Sequence, residues 1–177
     1  TREVKGLNFL IDSLKKIKRD DWLCFIVGPK GDQDNYLKRN VIENKLGKNV
    51  IFTGKTSEEL LLSAYVATEI FVLPSKYEPF ALVALEAMAS GTPVIVSDRV
   101  GMSYLIEDGK NGFVVPYGDT KLMAEKINYL LDNPKIGRKL GYNARQTAKN
   151  NTWDKIARVY KSFFEGLVMC SNHPYVS

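Results

Sequence analysis

The sequence contains few of the residues that form disulfides or hold metal ions. It has two cysteines, Cys24 and Cys170, and one histidine, His173, among 177 residues. Neither cysteine belongs to a group with metal-ligand spacing, so free, reduced thiols in a cytosolic protein are the simplest interpretation. His173 lies in a carboxyl-terminal stretch without periodicity, which argues against a catalytic histidine.

Membrane spans, signal peptides and nucleic-acid-binding patterns are also absent from the sequence. No apolar run reaches the length of a membrane span, and the first residues do not resemble a signal peptide. The net charge of +5 suits a phosphate-bearing ligand, an anionic membrane surface or an ordinary solvated surface. No basic block is combined with stacking aromatic residues, so nucleic-acid binding is not predicted. We expect a cytoplasmic protein, and contact with the inner face of a membrane stays open.

Short apolar runs alternate with amphipathic segments along the chain. The runs predict strands at 22–27, 49–53, 70–73, 94–97 and 112–115. The other segments predict helices at 7–17, 33–46, 56–67, 80–89, 120–131, 134–149 and 153–168. This alternation indicates right-handed βαβ crossovers, hence a mainly parallel sheet with helices on both faces.

The length suits a single α/β domain of the Rossmann-like class. We assign this domain to residues 1–170 and an unpatterned tail to residues 171–177. Ligands of such sheets bind at the carboxyl ends of the strands, near the point where the strand order reverses. The loops that follow the predicted strands are therefore the places to look for a site.

The segment from Tyr77 to Pro93 contains two glutamates in positions that need an explanation. Glu78 is expected in a loop at the carboxyl end of a strand, just before a helix. Glu86 lies eight positions later, inside that helix, among Leu, Val, Ala and Met residues. A long charged side chain in an apolar surround needs a partner. A core salt bridge or a helix cap would explain these carboxylates as well as a ligand would.

This segment resembles the Glu-seven-residues-Glu motif of retaining glycosyltransferases with the GT-B fold, especially glycosyltransferase family 4. The match covers Glu-Pro-Phe at 78–80 and Glu-Ala-Met-Ala-x-Gly-x-Pro-Val at 86–94. One departure is Ala81, which stands where the family usually has glycine. A methyl group at this turn would crowd a donor that approaches the backbone closely.

Other parts of the chain resemble the same family. Residues 65–75 fit its Tyr-Ala-x-Ala-Asp-x-Phe-Val-x-Pro-Ser pattern, with Glu69 where Asp is usual, and residues 108–115 match a later turn and strand. The family's Gly-Gly-x-x-Glu loop is degraded, because Met102 follows Gly101 and Tyr104 takes the place of the glutamate. The resemblance covers nearly the whole chain, and its specific part is the segment with the two glutamates.

The resemblance implies one half of a GT-B fold, the carboxyl-terminal domain that binds a nucleoside diphosphate sugar. Glu78 would be the catalytic carboxylate beside the donor sugar, and Glu86 would accept hydrogen bonds from the two ribose hydroxyls. Lys5 and the backbone N–H groups at the helix start would hold the diphosphate, and two further loops would contact the nucleotide. The remaining donor-binding residues implied in this way are Gly28, Thr53, Gly54, Phe80, Ala81 and Leu82.

These assignments predict hexose transfer from the donor to an unknown acceptor, with no metal and no cofactor besides the substrate. The acceptor would bind an amino-terminal domain that this sequence lacks, so the isolated domain is expected to be inactive. For Lys5, the alternative is an ordinary surface lysine. For Gly28, it is a plain turn.

Three other interpretations use different features of the sequence. Asp32-Gln33-Asp34 spells the Asp-x-Asp motif that binds manganese in GT-A enzymes, but residues 28–31 separate it from the preceding strand. Acidic residues at the start of a helix interact favourably with the helix dipole, and this alone explains them without a metal ion. A non-catalytic binding module would account for Ala81, Met102 and Tyr104 as drift. A dinucleotide-binding domain is disfavoured, because no Gly-x-Gly-x-x-Gly follows a strand.

Overall fold

The computed structural model describes residues 4–171, with side chains up to residue 167. Its strands are β1 (Cys24–Val27), β2 (Val50–Gly54), β3 (Phe71–Leu73), β4 (Val94–Ser97) and β5 (Gly112–Val115). Its helices are α1 (Leu7–Leu14), α2 (Asp34–Glu43), α3 (Glu58–Ala67), α4 (Leu82–Ser90), α5 (Thr120–Asp132), α6 (Pro134–Lys149) and α7 (Trp153–Ser171). A short 3₁₀ helix, Gly101–Leu105, precedes β5. Strands and helices alternate up to α5, and this confirms the predicted α/β Rossmann-like class.

All strand pairs are parallel, but the strands form two sheets. One sheet is β1–β2, and the other has the order β3–β4–β5. In the described part of the chain, β1 and β3 do not pair with each other. The predicted parallel pairing is confirmed, and it is divided between two sheets.

The three-stranded sheet lies between two layers of helices. β4 is buried along its whole length, because alternate residues of a strand point to opposite faces and both faces are covered. Ile95 packs with α1 and α5 in one core cluster. Val94 and Val96 pack with α4 and α6 in the other.

The two-stranded sheet is covered on one face only. Ile26 and Val50 are buried against α1 and α2. On the opposite face Phe25 is 55% exposed, Val27 41% and Ile51 40%. The apolar run at residues 22–27 does form a strand, but one of its faces stays exposed because no described helix covers that face.

Several helix ends differ from their predicted positions. α1 ends at Leu14 and α2 at Glu43, three residues before the predicted ends in both cases. α4 begins at Leu82 instead of residue 80, since Ala81 has a left-handed backbone conformation.

The described residues do not include the tail from residue 172 onward, which contains His173, or the side chain of Cys170. Within residues 4–171, no helix combines the length and apolar character that crossing a membrane requires.

Gly6 joins α1 to the end of β3 through a close backbone contact. Its φ is +66°, and a Cβ at this position would lie 1.8 Å from the carbonyl oxygen of Pro74. Next to it, the carbonyl of Val4 accepts hydrogen bonds from the N–H groups of Lys76 (2.8 Å) and Tyr77 (3.4 Å). The start of α1 is therefore fixed against the loop that follows β3.

We expect Gly6→Ala to lower the free energy of unfolding by about 2–4 kcal/mol, because overpacking and a left-handed alanine each cost about 1–3 kcal/mol. Chemical denaturation measures this change. Gly47→Ala is the matched control, since a Cβ at Gly47 meets no atom within 4 Å. Equal stability of the two variants would contradict the tight contact between Gly6 and Pro74.

Candidate functional site

The loops that follow β3 and β4 are joined by backbone hydrogen bonds. Glu78 forms an isolated parallel bridge with Val100. Its N–H donates to the carbonyl of Arg99 (3.3 Å), and its carbonyl accepts from the N–H of Gly101 (2.7 Å). A Cβ at Gly101 would lie 1.8 Å from the carbonyl oxygen of Pro79, so only glycine allows this approach. The backbone of Glu78 is thus held at the carboxyl edge of the three-stranded sheet.

The loop that departs from the family pattern at Met102 and Tyr104 supports the loop of Glu78. The N–H of Met102 donates to the carbonyl of Phe80 at 3.2 Å, and the Met102 side chain is buried in the core cluster of α4 and α6. Tyr104, in the place of the family's glutamate, is 73% exposed. The 3₁₀ helix therefore supports the loop of Glu78 with an apolar anchor, and the changed residue points to solvent.

Lys5 and Glu78 form an ion pair, although 73 positions separate them in the sequence. The Glu78 side chain is mostly buried, with 16% exposed, whereas 54% of the Lys5 side chain is exposed. The close contact between Gly6 and Pro74 places Lys5 beside this loop. Two of the sequence-predicted residues therefore meet at the carboxyl end of β3.

The turn before α4 presents unpaired backbone donors. Ala81 has φ +81° and ψ +64°, and it precedes the first helical residue, Leu82. In the described structure, the N–H groups of Phe80, Ala81 and Leu82 donate no hydrogen bond. Together with the positive end of the α4 dipole, such groups favour an anion. The three predicted backbone donors therefore lie together, two of them just before the helix.

Glu86 lies on the exposed side of α4, so the prediction of an apolar surround is wrong. The helix turns Ala84, Ala87 and Met88 toward the core, whereas Glu86 is exposed. Its Oε2 accepts a hydrogen bond from the hydroxyl of Tyr65 at 3.0 Å. The Glu86 carboxylate is thus paired with a tyrosine on the neighbouring helix, α3.

Tyr65 is a site residue that sequence reasoning did not select. Its side chain is 4% exposed, its ring packs edge-on against Phe71, and its carbonyl accepts from the hydroxyl of Thr92 at 2.7 Å. Burial, with a contribution from the hydrogen bond to Glu86, raises the pKa of Tyr65 above its usual range. The hydroxyl therefore stays protonated and donates to Glu86 at neutral pH. The match of residues 65–75 to the family pattern was the signal in the sequence that pointed to Tyr65. Its contact with α4 is visible only in the folded structure.

Gly28, Thr53 and Gly54 lie at the carboxyl ends of β1 and β2. The N–H of Gly28 donates to the carbonyl of Gly54 at 3.0 Å, and Thr53 is exposed. A cleft of about 1420 Å³ separates this edge from β3, and Lys5, Gly28, Tyr65 and Val83 are among its lining residues. Of the predicted donor-binding residues, Lys5 and Gly28 line this cleft.

The Asp-x-Asp segment has a structural explanation. Asp34 opens α2 and its Oδ1 accepts from the N–H of Gly31 at 2.9 Å, while Asp32 is exposed. Among the residues that the structure describes, no three His, Cys, Asp or Glu side chains are grouped to hold a metal ion. Asp34 therefore stabilises the start of a helix.

Lys5, Glu78 and residues 80–82 lie together at the carboxyl end of β3, and we call this part of the site the corner. The fold and the corner define a Rossmann-like domain of the GT-B type. Residues 1–147 match the family described as glycosyl transferases group 1, and the chain belongs to that family as its carboxyl-terminal domain. The glycosyltransferase relatives do not favour the alternative of a non-catalytic binding module.

Similar proteins of known name cover nearly all of this chain. Alpha-D-kanosaminyltransferase of Streptomyces kanamyceticus is 31% identical over 163 residues, which are 89% of this chain and 42% of that protein. Sucrose-phosphate synthase of Thermosynechococcus elongatus superposes with a TM-score of 0.84 at 32% identity, over 95% of this chain and 43% of that one. Anabaena HepE in complex with UDP-glucose superposes with a TM-score of 0.81 at 26% identity, over 94% of this chain and 46% of that one. The chain spans less than half the length of these three proteins.

Ala81→Gly is expected to raise the free energy of unfolding. A left-handed alanine costs about 1–2 kcal/mol, and the greater freedom of glycine in the unfolded chain cancels about half of the gain. A net increase of about 0.5–1 kcal/mol should appear in thermal or chemical unfolding.

Ala87→Gly is the control in the same helix, because Ala87 is fully buried in the interior of α4. It should lower the free energy of unfolding by about 1 kcal/mol or more. If both variants lose stability equally, the packing of the Ala81 methyl group outweighs its backbone strain, and the interpretation is wrong.

Proposed function

We propose that this chain is the donor-binding domain of a retaining glycosyltransferase of family 4. It would bind a nucleoside diphosphate sugar, and the full-length protein would transfer the hexose to an acceptor without a metal ion. The observation that carries this proposal is the convergence of Lys5, Glu78 and the unpaired N–H groups of residues 80–82 at one corner. The complex of the Anabaena relative with UDP-glucose supports UDP as the first nucleotide to test.

The diphosphate would bind at the start of α4. Backbone N–H groups that have no partner gain charge-assisted hydrogen bonds there, and the helix dipole adds to the attraction. Lys5 would contribute a full positive charge from the opposite side, because its ammonium already lies beside this loop. These groups would stabilise the diphosphate as it leaves, which is the task of a divalent metal in other transferases.

The ribose would bind at Glu86. A carboxylate offers about four lone-pair positions on its two oxygens, and the hydroxyl of Tyr65 occupies one. The remaining positions suit the two neighbouring hydroxyls of a ribose. Because Glu86 is exposed, the ligand reaches it without displacing the core.

Glu78 would act on the sugar. Its side chain is mostly buried, and its backbone is fixed by Arg99 and Gly101, so the carboxylate has a defined position. A negative charge near the anomeric carbon favours the positive charge that develops there in the transition state. The diphosphate would compete for Lys5 and release Glu78 toward the sugar hydroxyls.

The acceptor would bind a further, amino-terminal domain of a longer protein. The chain alone is therefore proposed to bind the donor without efficient transfer. A cytoplasmic location, with contact between the full-length protein and the inner membrane face, belongs to the same proposal. The net charge of +5 is compatible with an anionic lipid surface.

The two glutamates should respond differently to substitution. Glu86→Ala should weaken UDP and UDP-glucose alike, by about ten- to a hundredfold, because hydrogen bonds to a charged group contribute about 1.5–3 kcal/mol. Glu78→Ala should leave the affinity for UDP nearly unchanged. It should reduce only the additional affinity that the sugar gives to UDP-glucose. Calorimetric titration of each variant with both ligands measures the difference.

Glu107→Ala is the matched control, since Glu107 is an exposed glutamate that pairs with Lys110 away from this corner. Each variant is first compared with the parent chain in thermal unfolding. If Glu78→Ala abolishes UDP binding while Glu86→Ala binds UDP normally, the proposed roles are wrong.

A further inference from the structure

The positive charge of the chain is concentrated on one helix, α6. The sequence has 25 Lys and Arg residues and 20 Asp and Glu residues, and α6 contains five of the former and none of the latter. This leaves 20 residues of each sign in the rest of the chain, so the net charge of +5 belongs to α6. The five basic residues are Lys135, Arg138, Lys139, Arg145 and Lys149.

These five side chains share the outward face of α6. All of them are exposed, and so is Tyr142 in their midst, with 65% of its surface exposed. At 3.6 residues per turn the six positions fall within a sector of about 120° and extend over about 21 Å of the helix axis. We call these six residues the basic stripe. The opposite side of the helix is buried and consists of Gly137, Leu140, Gly141, Ala144 and Ala148.

A close contact between α6 and α4 fixes the direction in which the stripe points. A Cβ at Gly141 would lie 1.9 Å from the carbonyl oxygen of Gly91, so the two backbones meet directly where α4 ends. The side-chain amide of Asn143 donates to the carbonyl of Lys110 at 2.8 Å. The inner side of α6 is therefore held against the domain, and the stripe is presented to solvent.

Within the described part of the chain, the basic stripe has no acidic partner. None of its charged side chains takes part in an ion pair, whereas Lys121 pairs with Glu125 on α5 and Lys161 with Glu165 on α7. Like charges three or four positions apart on a helix repel each other. An anionic partner would remove this repulsion, because it would neutralise the stripe.

The shape and composition of the stripe indicate the kind of partner. Small ligands bind in concave sites, and the outer face of a helix is convex. A protein interface has a core of buried apolar and aromatic side chains, but Tyr142 is the one aromatic residue of the stripe. Single-stranded nucleic acid needs several aromatic platforms. An anionic bilayer needs only a row of Lys and Arg that reach one plane, and tyrosine suits its headgroup level.

We propose that the basic stripe docks this protein on a membrane surface that contains anionic phospholipid, with α6 lying along that surface. The Lys and Arg side chains would contact the lipid phosphates, and Tyr142 would enter the headgroup layer. This inference assigns a surface to the membrane contact of the proposed function and rests on that part of it. No residue of the corner belongs to α6, so nucleotide binding and membrane docking are separate events.

The test compares two double variants that remove equal charge from different helices. Arg138→Gln/Arg145→Gln acts on the stripe, and Lys38→Gln/Arg39→Gln acts on exposed residues of α2. Sedimentation with vesicles made of equal parts of phosphatidylglycerol and phosphatidylcholine measures the affinity. The stripe variant should bind about 25-fold more weakly than the parent chain, because each Lys or Arg near an anionic surface changes the affinity about fivefold. The α2 variant should bind nearly as tightly as the parent chain.

Both double variants are first compared with the parent chain in thermal unfolding. Vesicle binding should weaken with salt, because the Debye length falls from about 8 Å at 0.15 M to about 3 Å at 1 M. Equal losses in the two double variants would overturn the proposal, and so would equal binding to vesicles of phosphatidylcholine alone. Binding of duplex DNA that depends on the stripe, without binding to vesicles, would identify nucleic acid as the partner and also overturn it.

Calorimetric titration of the same variants with UDP separates this inference from donor binding. The affinity for UDP should be the same in the parent chain and in both double variants. If none of these chains binds UDP while vesicle binding still depends on the stripe, the donor-binding proposal is wrong and the docking surface stands. If UDP binds normally and the stripe variant binds vesicles as tightly as the parent chain, the docking surface is wrong and the donor-binding proposal stands.

Discussion

Close backbone contacts at the carboxyl ends of β3 and β4 are the constraint on which the site depends. Two glycines make these contacts possible, because a Cβ at Gly6 would meet Pro74 and a Cβ at Gly101 would meet Pro79, at 1.8 Å in both cases. The first contact fixes the chain just before α1, where Lys5 lies. The second fixes the loop that carries Glu78. The ion pair between these two residues is a consequence of the backbone arrangement.

The exposure of Lys5 lets a ligand reach that ion pair. More than half of the Lys5 side chain is exposed, whereas the Glu78 side chain is mostly buried. A diphosphate can therefore approach the ammonium and compete with Glu78 for it. Glu78 is held mainly by its backbone bonds to Arg99 and Gly101, so it keeps its position when Lys5 moves.

Much of the fold could be predicted from the sequence because the buried strands leave a clear pattern. β4, apolar and flanked by helical segments, is where the sequence predicts it. The strand that contains Phe25 has the same apolar pattern and yet has an exposed face, because burial depends on which helices cover the sheet. A local pattern does not carry that information.

The sequence predicts the loop and the helix on which the candidate site residues lie, but it does not predict their geometry. Glu78 lies in the predicted loop, but α4 begins later than predicted because Ala81 adopts a left-handed conformation that alanine rarely adopts. Glu86 faces solvent instead of an apolar surround, and its partner Tyr65 lies 21 positions earlier on another helix. Such contacts follow from the packing of α3 on α4, which the spacing of residues does not reveal.

The central claim is that a nucleoside diphosphate binds at the start of α4 without a metal ion. The most direct test is an NMR titration of the ¹⁵N-labelled chain with UDP in the presence of EDTA. The account predicts saturable binding, with the largest amide shifts at Phe80, Ala81 and Leu82. No binding in EDTA, or shifts confined to Asp32 and Asp34 after manganese is added, would contradict it.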